Sequence, residues 1–85
     1  MPSLSMFYGV IIYMYKGDHS EPHIHARYQD KESRFDLEGN YLEGDLPNKK
    51  RKLVEAWIAI HEDELKANWE LLNNEDKICK IDPLK

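Results

Sequence analysis

Three of the four histidines of this chain lie within seven residues, at His19, His23 and His25. Imidazole titrates near neutral pH and is the side chain that most often binds transition metals. The cluster therefore points to acid–base chemistry, to metal binding or to phosphate contact, and the residue types alone leave these open. The fourth histidine, His61, falls in an apolar helical stripe and is expected in the core.

The spacing of His23 and His25 fits a metal site. Residues 22–29 alternate between polar and apolar types, which predicts a strand with both imidazoles on one face. Side chains two residues apart on a strand are about 6.5–7 Å apart at Cα and can converge on one ion. Together with His19 they would supply the three protein ligands of a catalytic zinc site. Zinc, or another divalent transition metal, is one interpretation of the cluster.

Two other interpretations of the cluster need no metal. A neutral and a protonated imidazole can act as base and acid in phosphodiester cleavage. Arg27, on the same strand face, would stabilise the charge of the transition state, and the protein would be a small ribonuclease. Alternatively the histidines are structural, and each one hydrogen-bonds to the backbone or to Asp18 and Glu21 where the strand begins.

A second candidate site is the only dense run of positive charge in the chain. It consists of Lys49, Lys50, Arg51 and Lys52. Four cations in the first turn of a helix oppose its dipole, and an anionic partner such as RNA or an acidic protein surface would offset that cost. The alternative is a solvated helix face, balanced by Glu43 and Asp45 just before it. A formal net charge of −4 argues against a basic surface over the whole protein.

The elements that must position these residues indicate an α+β fold. Alternating and β-branched patterns predict a small antiparallel sheet of three to four strands. The predicted strands are 6–15, 22–29, 33–38 and 41–43. From Pro47 the apolar residues recur at spacings of three and four, which predicts a long helix, or a helix pair broken near His61, over 47–73. This helix is expected to pack on one face of the sheet.

The first predicted strand, 6–15, is apolar on both of its alternating faces. A strand of this kind needs cover on both sides of the sheet, and one helix covers only one. We therefore expect a homodimer or a cognate protein partner on the second face. The alternative is that the tail and the loops suffice.

Size and composition limit the class of protein. A chain of 85 residues makes a single domain, 1–85, and 41% apolar with 33% charged residues is typical of a globular protein. Cys79 is the only cysteine, which favours a reducing compartment. The apolar N-terminal run is too short to span a bilayer and lacks a basic leader. We expect a cytoplasmic protein that begins at its own Met1 and does not bind membranes.

Motifs along nearly the whole chain carry a family resemblance. They are Met6-Phe7-Tyr8-Gly9, Asp18-His19, Pro22-His23-Ile24-His25-Ala26, Gly44-Asp45-Leu46-Pro47, Trp57, and Glu64-Leu65 with Trp69. With these motifs the chain resembles a bacterial family catalogued as domain of unknown function 4160 (DUF4160). The family commonly has an aromatic residue where this chain has Ile24, and the positions of His23 and His25 are intact.

The resemblance implies a biological setting, and the family has no assigned activity. Its members resemble small, mobile bacterial genes that are often encoded beside a second short reading frame, in an arrangement like a toxin–antitoxin pair. We therefore expect one component of such a two-gene module, acting through binding to a partner protein. The alternative is a histidine-based ribonuclease or metal-dependent hydrolase that uses His19, His23 and His25 with Arg27. Whether the protein is an enzyme stays open.

Overall fold

The computed structural model describes residues 3–15 and 21–84, and in them five strands precede two helices. The elements are β1 (Ser3–Phe7), β2 (Val10–Tyr13), β3 (His23–Tyr28), β4 (Lys31–Asp36), β5 (Tyr41–Gly44), α1 (Asn48–Ile60) and α2 (Glu62–Asn73). The strands form one antiparallel sheet in the order β1-β2-β3-β4-β5. The α+β class is confirmed, and the sheet has five strands where three to four were expected.

The predicted first strand, 6–15, is wrong, because it is a hairpin of β1 and β2. The chain reverses at Tyr8 and Gly9, whose φ angles are 49° and 80°. Positive φ at both central residues gives the twist that a two-residue hairpin turn needs, and glycine adopts it without steric cost. Apolar residues continue on both sides of Gly9, so the alternation pattern hides the turn.

The later strands differ from their predicted bounds by one or two residues. The strand expected over 33–38 lies at Lys31–Asp36. The physical reason is the tight turn at Gln29-Asp30, with Gln29 at a φ of 56°, which lets pairing resume at once between Tyr28 and Lys31.

The predicted helical segment 47–73 is a pair of helices broken at His61, which is one of the two alternatives that the sequence left open. The backbone N–H of His61 donates to the carbonyls of Trp57 and Ile58, which closes α1. Three acidic residues then begin α2, where the positive end of the helix dipole favours negative charge. Neither helix in the described residues has the length and apolar character needed to cross a lipid bilayer.

The core lies between the helices and one face of the sheet. Trp57 is fully buried at its centre, with its ring 5.5 Å from the ring of Phe7 on β1. The other fully buried apolar side chains are Leu4, Val10, Ile12, Met14, Ile24, Ala26, Phe35, Val54, Ile58 and Leu65. Because side chains alternate along a strand, Ile11, Tyr13, His25, Arg27, Glu32 and Arg34 point to the opposite face of the sheet.

The C-terminal tail, residues 75–84, lies back across the domain, and hydrogen bonds at Cys79, Ile81 and Asp82 attach it. The backbone N–H of Cys79 donates to Asn68 Oδ1 at 2.6 Å. The N–H of Ile81 donates to the carbonyl of Leu4 at 2.9 Å. Trp57 Nε1 donates to the carbonyl of Asp82 at 2.8 Å. The tail thus connects β1 to both helices.

Asn68 tests how much the tail contributes to stability. It is 3% exposed, and its amide also donates to the carbonyl of Glu64. We expect Asn68→Ala to lower the free energy of unfolding by about 1–3 kcal/mol, because the N–H of Cys79 loses its acceptor. Urea denaturation measures this value. The control is Asn73→Ala, since exposed Asn73 makes the same bond to the residue four positions earlier without touching the tail. Equal losses in the two variants would contradict this role of Asn68.

Candidate functional site

The sheet face turned away from the helices, here called the outer face, carries two rows of side chains that cross the strands. The first row contains Met6, Ile11, Arg27 and Glu32, and the second contains Tyr13, His25, Arg34 and Glu43. The first row joins Met6 and Ile11 to an arginine and a glutamate, and the second joins Tyr13 through His25 to another arginine and glutamate. Two of the predicted site residues, His25 and Arg27, therefore lie side by side on an open sheet surface.

His23 lies at the end of the sheet and is buried, with 5% of its surface exposed. Its Nδ1 donates to the carbonyl of Glu21 at 2.7 Å. Its ring lies 5.7 Å from that of Trp69 on α2 and 5.1 Å from that of His25. These contacts match the structural interpretation of this histidine, because one ring nitrogen is engaged by backbone and the ring is packed.

His25 is half-buried and lines a depression of about 340 Å³ on the outer face, together with Glu32, Arg34 and Glu43. Burial lowers the pKa of His25 from its ordinary value of 6.5, and the neighbouring His23 lowers it further. The imidazole is therefore neutral at neutral pH and can accept a proton. Among the described residues, nothing hydrogen-bonds to its buried Nδ1.

A chain of aromatic rings connects α2 to the outer face through the two histidines. From His25 it continues to Tyr15 at 4.5 Å, and Tyr15 stacks parallel to Tyr13 at 6.1 Å. Burial, then the negative charge of Glu32, raises the pKa of Tyr15, so its hydroxyl stays protonated. The sequence analysis did not connect Tyr15 to the histidines, because the contact joins the segment that follows β2 to the neighbouring strand β3.

The two arginines of the outer face differ in their contacts. Arg34 pairs with Glu43 across the β4–β5 register at 2.7 Å. Arg27 is exposed, its Nε donates to the carbonyl of Gln29, and in the described part of the chain it forms no ion pair. Within 3–15 and 21–84 the terminal nitrogens of Arg27 have no acidic partner, so they can meet an anionic group. The sequence analysis did not predict Arg34 as a site residue. Only its position opposite His25 in the strand register would have indicated that role.

The proposed metal site falls partly outside the described residues. His19 belongs to the segment 16–20, which the structure does not describe. Within 3–15 and 21–84, no three His, Cys, Asp or Glu side chains are grouped to hold a metal ion. A zinc site that includes His19 stays a prediction.

The basic run lies in the first turn of α1, as expected, but its side chains separate. Lys50 turns onto the sheet, where Nζ donates to the carbonyl of Tyr8 at 2.8 Å and lies 4.8 Å from the ring centroid of Tyr28. Arg51 lies over the ring of Tyr41 at 4.1 Å and bonds to Glu55. Lys49 and Lys52 remain exposed. The anion-contact hypothesis therefore loses two of its four cations to contacts within the fold.

Comparison with known proteins gives one match. A family model described as Domain of unknown function (DUF4160) matches residues 9–70. The matched range begins in the turn before β2, ends inside α2, and includes His19, His23, His25 and Arg27. No curated protein and no solved structure matches the chain.

His23 and His25 should differ in their effect on stability. We expect His23→Ala to lower the free energy of unfolding by about 1–3 kcal/mol, because a packed ring and its hydrogen bond to Glu21 are lost. His25→Ala should cost less, since this ring is half exposed. Urea denaturation at neutral pH compares the two variants. A larger loss for His25→Ala would contradict the structural assignment of His23.

The lowered pKa of His25 predicts a pH dependence of stability. The unfolded chain binds a proton at His25 as the pH falls through about 6.5, whereas the folded protein resists it until a lower pH. The free energy of unfolding should therefore fall as the pH is lowered through this window. For the His25→Gln variant the free energy of unfolding should fall less. Urea denaturation between about pH 8 and about pH 5 measures both proteins. Identical pH profiles would show that His25 does not titrate as described.

Proposed function

The chain belongs to the family described as Domain of unknown function (DUF4160), and from that premise we propose that it is one component of a toxin–antitoxin-like two-gene module that acts by binding a partner protein. The binding surface is the outer face of the sheet. Its β1–β2 half, where Met6, Ile11 and Tyr13 lie, is the centre of the contact.

The observation that carries this proposal is the one-sided cover of the sheet. Both helices pack on the inner face, and the outer face keeps apolar side chains in contact with solvent. Met6 is 65% exposed, and Ile11, Tyr13 and Tyr15 are half-buried. Aromatic residues, methionine and arginine are the types enriched at protein interfaces. This surface has all three, since Arg27 lies beside Ile11 in the pairing register.

The predicted ten-residue strand, which gave the reason for expecting a partner, is a hairpin. Part of that reason still holds for β2. No single strand is apolar along ten residues. The strand β2 alternates Val10 and Ile12 into the core with Ile11 and Tyr13 on the outer face, so it is apolar on both sides. A strand of this kind is stabilised by cover on both faces.

A direct test co-expresses the chain with the product of the neighbouring short reading frame and measures the affinity of the purified complex by isothermal titration calorimetry. We expect Ile11→Asp and Arg27→Glu each to weaken binding by about tenfold or more, which corresponds to about 1.4 kcal/mol. The matched control is Ile60→Asp, because Ile60 is 65% exposed on the opposite, helical side. It should change the affinity less than about twofold.

Three results would contradict this function. The neighbouring product fails to bind, or Ile60→Asp weakens binding as much as Ile11→Asp does. The third is a homodimer of the chain that Ile11→Asp dissociates, since a second copy would then occupy the face assigned to the partner.

A second candidate function is acid–base cleavage of RNA, and the observation that favours it is the neutral, half-exposed imidazole of His25. It would act as general base. The nearby free guanidinium of Arg27 would stabilise the phosphorane charge. The ring of Tyr15 lies 4.5 Å from the ring of His25, and its protonated hydroxyl would take the place of His23 as a proton donor, because His23 is buried.

An assay with a fluorescent single-stranded RNA oligonucleotide tests this activity. We expect His25→Gln to reduce the cleavage rate by about 10²-fold or more, and cleavage by the unchanged protein to slow at acid pH as His25 is protonated. His61→Gln is the control, because His61 pairs with Glu64 at the helix junction, away from the outer face. Cleavage that persists in His25→Gln, or no cleavage above a protein-free blank, would exclude this role.

A further inference from the structure

A groove of about 420 Å³ runs along one margin of the outer face, between the β1–β2 hairpin and the C-terminal tail. Met6, Ile11 and Tyr13 line its sheet side, and Lys80 and Pro83 line its tail side. The first three residues also belong to the outer face, so the groove is continuous with the surface assigned to the partner.

We propose that this groove binds an extended segment of the partner protein that carries an acidic side chain beside apolar ones. The inference rests on the proposed partner-binding function and deepens it, because it names the chemistry that the partner presents.

The charge of the groove lining determines which charge the bound segment carries. Among the described residues that line the groove, Lys80 is the only charged one. The next charges along the same row of the sheet are Arg27, opposite Ile11, and Glu32, opposite Arg27. The described lining of the groove itself therefore carries one positive charge, that of Lys80, although the whole chain has a formal net charge of −4. A carboxylate is the protein side chain that complements such a cation.

The shape of the groove favours an extended chain. One wall is the edge strand β1, and the other is a tail without helix or strand structure. The tail is joined to β1 by the bond from the N–H of Ile81 to the carbonyl of Leu4. A third extended segment can lie along these two.

The aliphatic lining favours a peptide over RNA. Met6 and Ile11 offer apolar contact and no hydrogen bonds, which suits side chains such as leucine. Single-stranded nucleic acid is bound by several cations along its backbone with aromatic rings between them. The groove has one aromatic residue, Tyr13, and one lysine.

The test uses a phage-displayed library of random dodecapeptides, selected on the purified full-length protein. We expect enriched sequences with Asp or Glu next to Leu, Ile or Met. Fluorescence anisotropy of labelled enriched peptides should show binding weakened about tenfold or more by Lys80→Glu and by Met6→Asp. Lys77→Glu is the matched control, since Lys77 is an exposed tail lysine that does not line the groove. Circular dichroism checks that each variant is folded.

Several outcomes would overturn the inference. They are enrichment of basic or uncharged sequences, no enrichment at all, or equal effects of Lys80→Glu and Lys77→Glu. Binding of a labelled oligouridylate that Lys80→Glu abolishes, without peptide binding, would assign the groove to RNA. Failure of the partner-binding function can be distinguished from failure of this inference. In that case acidic peptides would bind to the groove although the neighbouring gene product does not bind to the protein. Conversely, the partner's affinity could be weakened by Arg27→Glu but not by Lys80→Glu or Met6→Asp. That result would support the partner-binding function and exclude the groove as a binding site.

Discussion

The burial of Trp57 is the interaction on which the rest of the fold depends. Its ring packs against Phe7 of β1 and lies 5.4 Å from the ring of His61 at the helix junction, and its indole N–H holds the tail at Asp82. A large aromatic side chain contributes much apolar area, and its polar N–H must find a partner when buried. One side chain thus joins the sheet, the helix break and the C-terminal segment.

This inward packing leaves the two faces of the sheet unequal. The helices pack on the inner face of the sheet. The tail lies beside the edge strand β1, where it forms one wall of a groove. The outer face keeps Tyr13, Tyr15, His25 and Arg27 in reach of solvent. Because a surface of this composition is typical of interfaces, both candidate functions are placed on it, and they differ in whether Arg27 meets a carboxylate or a phosphate.

The histidine cluster shows how far local pattern reaches. Alternation over 22–29 correctly placed His23 and His25 on one strand and one side. It did not distinguish their surroundings, because the burial of His23 comes from Trp69, which lies 46 positions later in the chain. The buried amide of Asn68 was likewise not predicted, since its tail partner, Cys79, is defined only by how the chain folds back.

Local chemistry was enough to determine the α+β class and the inward sides of the later strands, and it gave a break near His61 as one of two alternatives. Each of these depends on the period of apolar residues or on charges within one helical turn. The hairpin at Tyr8-Gly9 is local, but the sequence pattern hid it because apolar residues continue on both sides of the turn. Tertiary structure alone decided the separation of the four cations of α1 and the side of the sheet that stays open. The reason is that these two features depend on contacts between distant segments: Lys50 turns onto the sheet because the carbonyl of Tyr8 and the ring of Tyr28 meet it there.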